Sequence, residues 1–164
     1  ASRGLGDVYK RQGWGDVLVI VFFGFVPVGG TYYVQALTWT PDVTIASLIC
    51  GLLIDTLLVV NNYRDREADA RSGKRTVIVR FGEKFGRYFY LMLGITASLL
   101  CLCFLREGHF YAAFLPQLYL IPHFLTWKRM VKIYSGKKLN SILGETSRNM
   151  LLMGILIAIG MLIN

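Results

Sequence analysis

Cysteine, histidine and acidic side chains are all scarce in this chain of 164 residues, and each shortage closes off a class of function. The three cysteines, Cys50, Cys101 and Cys103, fall inside hydrophobic runs without metal-ligand spacing, and Cys101 and Cys103 point to different helix faces. They read as small apolar residues, not as thiolate ligands. His109 and His123 have no acidic neighbour except Glu107, which favours interfacial or packing roles over catalysis or metal binding. There is no internal repeat or low-complexity tract, and no initiator methionine. Residues 7–12, Asp-Val-Tyr-Lys-Arg-Gln, resemble a translated sequencing adapter. The segment 1–12 is therefore expected to be non-native, with biological sequence beginning near Gly13 in a longer parent.

What the chain does have is apolar length. Hydrophobic residues make up 54% of it and the mean hydropathy is +0.49, above the usual share for soluble domains. The apolar runs are long enough to cross a bilayer, which takes about 20 residues. The chain reads as an all-α integral membrane bundle. Its formal charge of +8, from 18 Lys and Arg against 10 Asp and Glu, could suggest nucleic acid. Its distribution argues otherwise, because the basic residues concentrate at 64–87 and 128–148, between hydrophobic runs. That is the positive-inside pattern of a membrane protein whose cationic loops also meet anionic headgroups.

Five transmembrane helices are expected, over about residues 16–37, 42–64, 88–105, 110–127 and 149–163. Pro27 with Gly29-Gly30 predicts a kink in the first. Thr40 is placed to cap the second, with Pro41 in its first turn. The basic loops 64–87 and 128–148 then face the cytoplasm, and the connections near 38–41 and 106–109 face outward.

The informative stretch continues the second span: Asn61-Asn62-Tyr63-Arg64-Asp65-Arg66-Glu67-Ala68-Asp69, then Arg71, Gly73-Lys74-Arg75-Thr76 and Arg80. Asn61, Asp65 and Asp69 are spaced four apart, so each step turns the side chain by only about 40° on a helix and all three share one face. Two carboxylates a turn apart at a membrane interface suit Mg²⁺, which prefers one or two carboxylates completed by water and substrate phosphate. Arg64, Arg71, Lys74, Arg75 and Arg80 supply donors for phosphate oxygens. A D-x-x-x-D in a charged loop is more often merely solvated. Here it directly continues a hydrophobic helix, carries paired asparagines and ends in Gly-Lys-Arg-Thr, which shifts the balance toward function.

The pattern Asn61-Asn62-x-Arg64-Asp65-x-x-x-Asp69-x-x-x-Gly73-Lys74-x-Thr76, followed by Val79-Arg80-Phe81-Gly82, resembles the second aspartate-rich motif of the UbiA superfamily of intramembrane prenyltransferases. It is nearest the menaquinone branch, as are Gly13-x-Gly15-Asp16-Val17, Val21-Phe22-Phe23-Gly24 and Tyr32-Tyr33-Val34-Gln35. The resemblance covers most of Gly13–Gly86; beyond it only the hydrophobic layout agrees. It implies that 13–164 is the C-terminal part of one transmembrane domain, helices five to nine of a nine-helix bundle in a bacterial inner membrane. It implies Mg²⁺-dependent transfer of a polyprenyl group from polyprenyl diphosphate to 1,4-dihydroxy-2-naphthoate. Asp65 and Asp69 would bind the metal and, with Lys74, carry the catalysis. Asn61, Asn62, Arg64, Arg71, Lys74 and Arg80 would contact the diphosphate. The family's first aspartate-rich motif is missing, so the chain alone is expected to be inactive.

Other residues keep more than one meaning. Asp55, inside the second span, is either part of a polar pocket or a hydrogen-bonded structural carboxyl. Tyr32, Tyr33 and Gln35 either line an aromatic-acceptor pocket or belong to the interfacial belt. Two further functions compete with the leading one. One is a prenyltransferase for 4-hydroxybenzoate or homogentisate. The other is an ion-coupled membrane module, although transporters place coupling sites near the bilayer midplane.

Overall fold

Five helical segments follow one another in the computed structural model, which describes residues 14–163; the segment 1–12 lies outside the described residues. The segments are α1, Gly15–Ala36; α2, Pro41–Arg71; α3, Val77–Glu107; α4, residues 110–133; and α5, Asn140–Leu162. No strand occurs among the described residues. Four helices are long and apolar enough to cross a membrane: α1, α2, α3 and α5 with the turn before it. The protein is an all-α integral membrane protein, as the hydropathy required.

The remaining expected span departs from a regular helix. α4 consists of Phe110–Phe114, a 3-10 stretch over Leu115–Tyr119, and Leu120–Ile133. Pro116 has no N–H to give and crowds the preceding turn, so the chain tightens there. In α1 the anticipated kink takes the form of π-helical winding from Ile20 to Gly29, with Pro27 inside it. Wider winding is a common way to absorb a missing helical hydrogen bond. Thr40 caps α2 by accepting from the Val43 N–H at 3.3 Å, with Pro41 as first helical residue.

The two basic loops are much shorter than the charge pattern suggested. α2 is 31 residues long, about 46 Å at 1.5 Å per residue, against a hydrocarbon core of about 30 Å. Its last turns, which carry the aspartates, therefore stand at and beyond one interface. Only residues 72–76 separate α2 from α3, and α4 and α5 are separated by residues 134–139. Hydropathy marks where a helix leaves the lipid, not where it stops being helical. α3 bends at Gly82, whose φ of 88° and ψ of 171° break the helical path.

α2 lies at the centre, packed against α1, α3 and α5, and α4 leans on α3 and α5. Small residues let α1 and α2 approach closely, since a Cβ on Gly24 would strike the Ser47 carbonyl oxygen and one on Gly51 would come within 3.0 Å of the Ile20 carbonyl. One apolar cluster gathers Val59, Tyr63, Tyr90, Leu93, Met130 and Ile142; a second gathers Ile49, Leu53, Ala97, Phe104, Tyr119 and Met153. Polar bonds staple the helices inside lipid: Tyr90 with Thr146 at 3.0 Å, Ser98 to Gln117 at 2.7 Å, and Asn149 to Thr126 at 2.9 Å. His123 is buried with its ring stacked between Tyr90 and Tyr119, its Nδ1 2.9 Å from the Tyr119 hydroxyl. Gly94 leaves the space that ring occupies. The packing role expected of His123 is the one it has, and all three cysteines are free thiols.

Candidate functional site

The last three turns of α2 build the site. Arg64 folds back along its own helix and grips Asp65 with two charge-assisted bonds, Nε to Oδ1 at 2.7 Å and an amino group to Oδ2 at 2.6 Å. The same guanidinium donates to Asn61 Oδ1 at 2.7 Å and to Asn140 Oδ1 at 2.8 Å at the start of α5. One planar fork thus sets Asn61 and Asp65 in register and ties them to another helix.

Asp69 is positioned by the way α2 ends. Gly73 adopts φ 73°, the Lys74 N–H returns to the Asp69 carbonyl at 3.0 Å, and the Gly73 N–H returns to the Ala70 carbonyl at 3.2 Å. This is a Schellman closure, which needs a left-handed residue where glycine stands. It reverses the chain so that Lys74 Nζ lies 2.9 Å from Asp69 Oδ1. Thr76 then starts α3 by accepting from the Val79 N–H at 3.2 Å.

These residues surround one cavity of about 150 Å³. Asn61, Asn62, Asp65, Asp69, Lys74 and Thr76 line it from the α2–α3 corner, Leu58 lines it from further up α2, and Gly15 and Asp16 close it from α1. The predicted alignment of Asn61, Asp65 and Asp69 is therefore realised, and Lys74 joins them. Arg71, Arg75 and Arg80 are exposed and do not line the cavity; Arg80 lies over the Phe81 ring, 5.8 Å from its centre. Tyr32 and Gln35 line a different cavity, of about 840 Å³, together with Thr40, Asp42, Glu107 and His109. That cavity reaches α2 no further than Ala46, about 18 Å along the helix from Leu58. Tyr33 is 52% exposed and lines neither. The structure does not bring the expected acceptor pocket to the aspartates.

Asp16 is the residue that motif reasoning passed over as a site residue. It is 9% exposed and reaches the cavity from the start of α1. Its signals in the sequence were a carboxylate at the mouth of a hydrophobic run and the Gly13-x-Gly15-Asp16-Val17 resemblance, neither of which gave it a role. Asp55 is fully buried behind it, and neither Asp55 oxygen meets a hydrogen-bond donor.

Among the described residues no three His, Cys, Asp or Glu side chains gather to cage a metal. The donor set nevertheless fits Mg²⁺. Asp65 and Asp69 offer hard carboxylate oxygens and Asn61 an amide oxygen on one cavity wall, and Mg²⁺ leaves its other positions to water and phosphate.

Known proteins resemble this chain in sequence. The UbiA prenyltransferase family matches over residues 7–162. A 1,4-dihydroxy-2-naphthoate octaprenyltransferase of Haemophilus influenzae is 35% identical over 159 residues, 94% of this chain and 51% of that protein. One of the same name from Escherichia coli is 42% identical over 94 residues, 57% of this chain and 30% of that protein. UbiA prenyltransferase domain-containing protein 1 of Dictyostelium discoideum is 28% identical over 155 residues, 94% of this chain and 46% of that protein. The chain thus spans about half the length of the Haemophilus protein. No solved structure matches. With its family match running nearly end to end and its aspartate-rich helix intact, the chain belongs to the UbiA prenyltransferase family.

Proposed function

We propose that this chain is the C-terminal part of an Mg²⁺-dependent prenyltransferase that moves a polyprenyl group from polyprenyl diphosphate to 1,4-dihydroxy-2-naphthoate. The observation that carries the reading is the convergence of Asn61, Asn62, Asp65, Asp69 and Lys74 on one polar cavity at the end of a membrane helix. The names of the Haemophilus and Escherichia relatives support the acceptor. The setting is a bacterial inner membrane, with the corners at 72–76 and 134–139 on the cytoplasmic side.

In this reading Asp65 and Asp69 hold Mg²⁺, with Asn61 beside them. Bound there, the metal offsets charge on diphosphate oxygens. Lys74 presents a point charge to the leaving diphosphate, and Arg64 keeps Asp65 and Asn61 in the orientation that accepts the ion. As the allylic C–O bond breaks, both electrons stay with the diphosphate and these fixed cations stabilise them. The surrounding helices keep water from the allylic cation until the aromatic ring attacks it, and the ring carboxylate leaves as CO2 with its bonding electrons returned to the ring. Arg71 and Arg80, outside the cavity, steer the anion toward the interface.

The test uses the full-length gene product in membranes, supplied with polyprenyl diphosphate and each candidate acceptor. Transfer to 1,4-dihydroxy-2-naphthoate, lost with EDTA and restored by Mg²⁺, is the expected result. Asp65→Asn and Asp69→Asn should each lower kcat by about a hundredfold or more, as loss of a key electrostatic group does. Activity surviving both changes, or confined to a benzoate acceptor, overturns the proposal.

A further inference from the structure

Asp16 and Asp55 are not used in the diphosphate chemistry, yet both carboxyl groups are buried close to it. The α1–α2 contact explains how they meet. Gly24 abuts Ser47, and Gly51 abuts Ile20. Each step of four residues along α1 thus meets a step of four back along α2, and the next step sets Asp16 opposite Asp55. The two carboxyl groups are near enough to interact. Asp55 is 0% and Asp16 9% exposed, and no other group donates to Asp16 Oδ1 or to either Asp55 oxygen. A proton shared within the pair satisfies one acceptor, while the side of Asp16 that lines the cavity still calls for a donor partner.

The cavity itself narrows what that partner is. Only Asp16 of the pair lines the cavity, whereas Asp65 and Asp69 offer a cation two carboxylates on one wall, so the cation belongs to that wall. A diphosphate brings only acceptor oxygens and is repelled by Asp16, while Lys74 attracts it from the α2–α3 corner. A ligand bringing an O–H donor satisfies Asp16 without that repulsion. Building on the proposed prenyl transfer, we infer that Asp16, backed by Asp55, accepts a hydrogen bond from an aryl hydroxyl of the aromatic substrate. The cavity is thereby divided into a diphosphate end at Lys74 and a hydroxyl end at Asp16. Asp16 is a substrate-binding residue and Asp55 a positioning one.

The experiment compares 1,4-dihydroxy-2-naphthoate with its two monomethyl ethers on the full-length gene product. A site built to bond a hydroxyl rejects an analogue lacking it far more strongly than an apolar pocket does. For the unmodified protein, at least one ether should lose about tenfold or more in kcat/KM. Asp16→Asn should raise the acceptor KM about tenfold, leave the prenyl diphosphate KM within about twofold, and shrink the hydroxyl-to-ether preference to about threefold or less. Asp55→Asn should shift the same preference in the same direction by a smaller factor. An unchanged preference in Asp16→Asn, or a parallel rise in the prenyl diphosphate KM, overturns the inference. Should Asp16→Asn not fold, equilibrium dialysis of the unmodified protein without prenyl diphosphate decides alone, and equal affinity for the hydroxyl compound and both ethers overturns it. Absence of transfer to any acceptor would instead count against the proposed function, which separates the two failures.

Discussion

Arg64 has more to do than its place in a charged motif suggests. It contacts Asp65 twice, Asn61 once and Asn140 once, so it orders the face proposed to bind the metal while sitting beside it. Lysine carries the same charge but lacks the planar fork, and it cannot reproduce two parallel bonds plus two others. Arg64→Lys should lower kcat/KM about tenfold and raise the Mg²⁺ concentration needed for half-maximal activity, which a metal titration of the full-length protein would show. An unchanged titration would mean the fork does not order the metal face. Lys74→Met should act differently, raising the prenyl diphosphate KM by about tenfold or more, because a cation facing the anion is lost. It also leaves the Asp69 carboxylate, only 9% exposed, without that ion pair. At this scale the shared face of Asn61, Asp65 and Asp69 was legible from spacing, and Asn62 and Lys74 from the motif resemblance. Asp16 appeared within the Gly13-x-Gly15-Asp16-Val17 resemblance but without a role, because it lies 49 positions upstream of Asp65 and no local pattern links the two.

At the scale of elements, the α1–α2 crossing and the α2–α3 corner decide whether the cavity exists. Gly51→Leu places a side chain where the Ile20 backbone already sits, and overpacking of this kind costs about 1–3 kcal/mol. The variant should melt several degrees lower in detergent and lose Asp16 from the cavity wall. A normal melting temperature would show that α1 does not rest on this contact. Gly73→Val forces a β-branched residue into φ 73°, at a cost of about 1–2 kcal/mol, and turns Lys74 away from Asp69. Its activity should fall more than its thermal stability. The Gly-Lys-Arg-Thr punctuation did predict a turn here, but charge density suggested a loop from 64 to 87 where only residues 72–76 separate the two helices. Arg66 and Arg87 are the reason. They pair with Glu83 at 3.6 and 3.3 Å and lie over the Tyr63 and Tyr134 rings, so charges that looked like solvated loop instead clamp two helices together.

For the whole molecule, the ends of the helices set which chemistry faces which side. The aspartate cavity lies at the α2–α3 corner, and the larger cavity of Tyr32, Gln35 and Glu107 at the other end of the bundle. In intact bacterial cells expressing a variant without its three cysteines, a membrane-impermeant maleimide should label Thr38→Cys. It should reach Ser72→Cys only after lysis; labelling of Ser72→Cys in intact cells would invert the topology. From the sequence alone came the membrane environment, the helical class, the shared face of Asn61, Asp65 and Asp69, and the family likeness. Each depends on local quantities: apolar run length, turn spacing and a contiguous motif. Only the tertiary structure decided that Arg71 and Arg80 stand outside the cavity, that Tyr32 and Gln35 are far from it, and that Asp16 meets Asp55. Those outcomes depend on how helices distant in sequence pack, and small residues such as Gly24 and Gly51 set that packing without leaving a hydropathy signal.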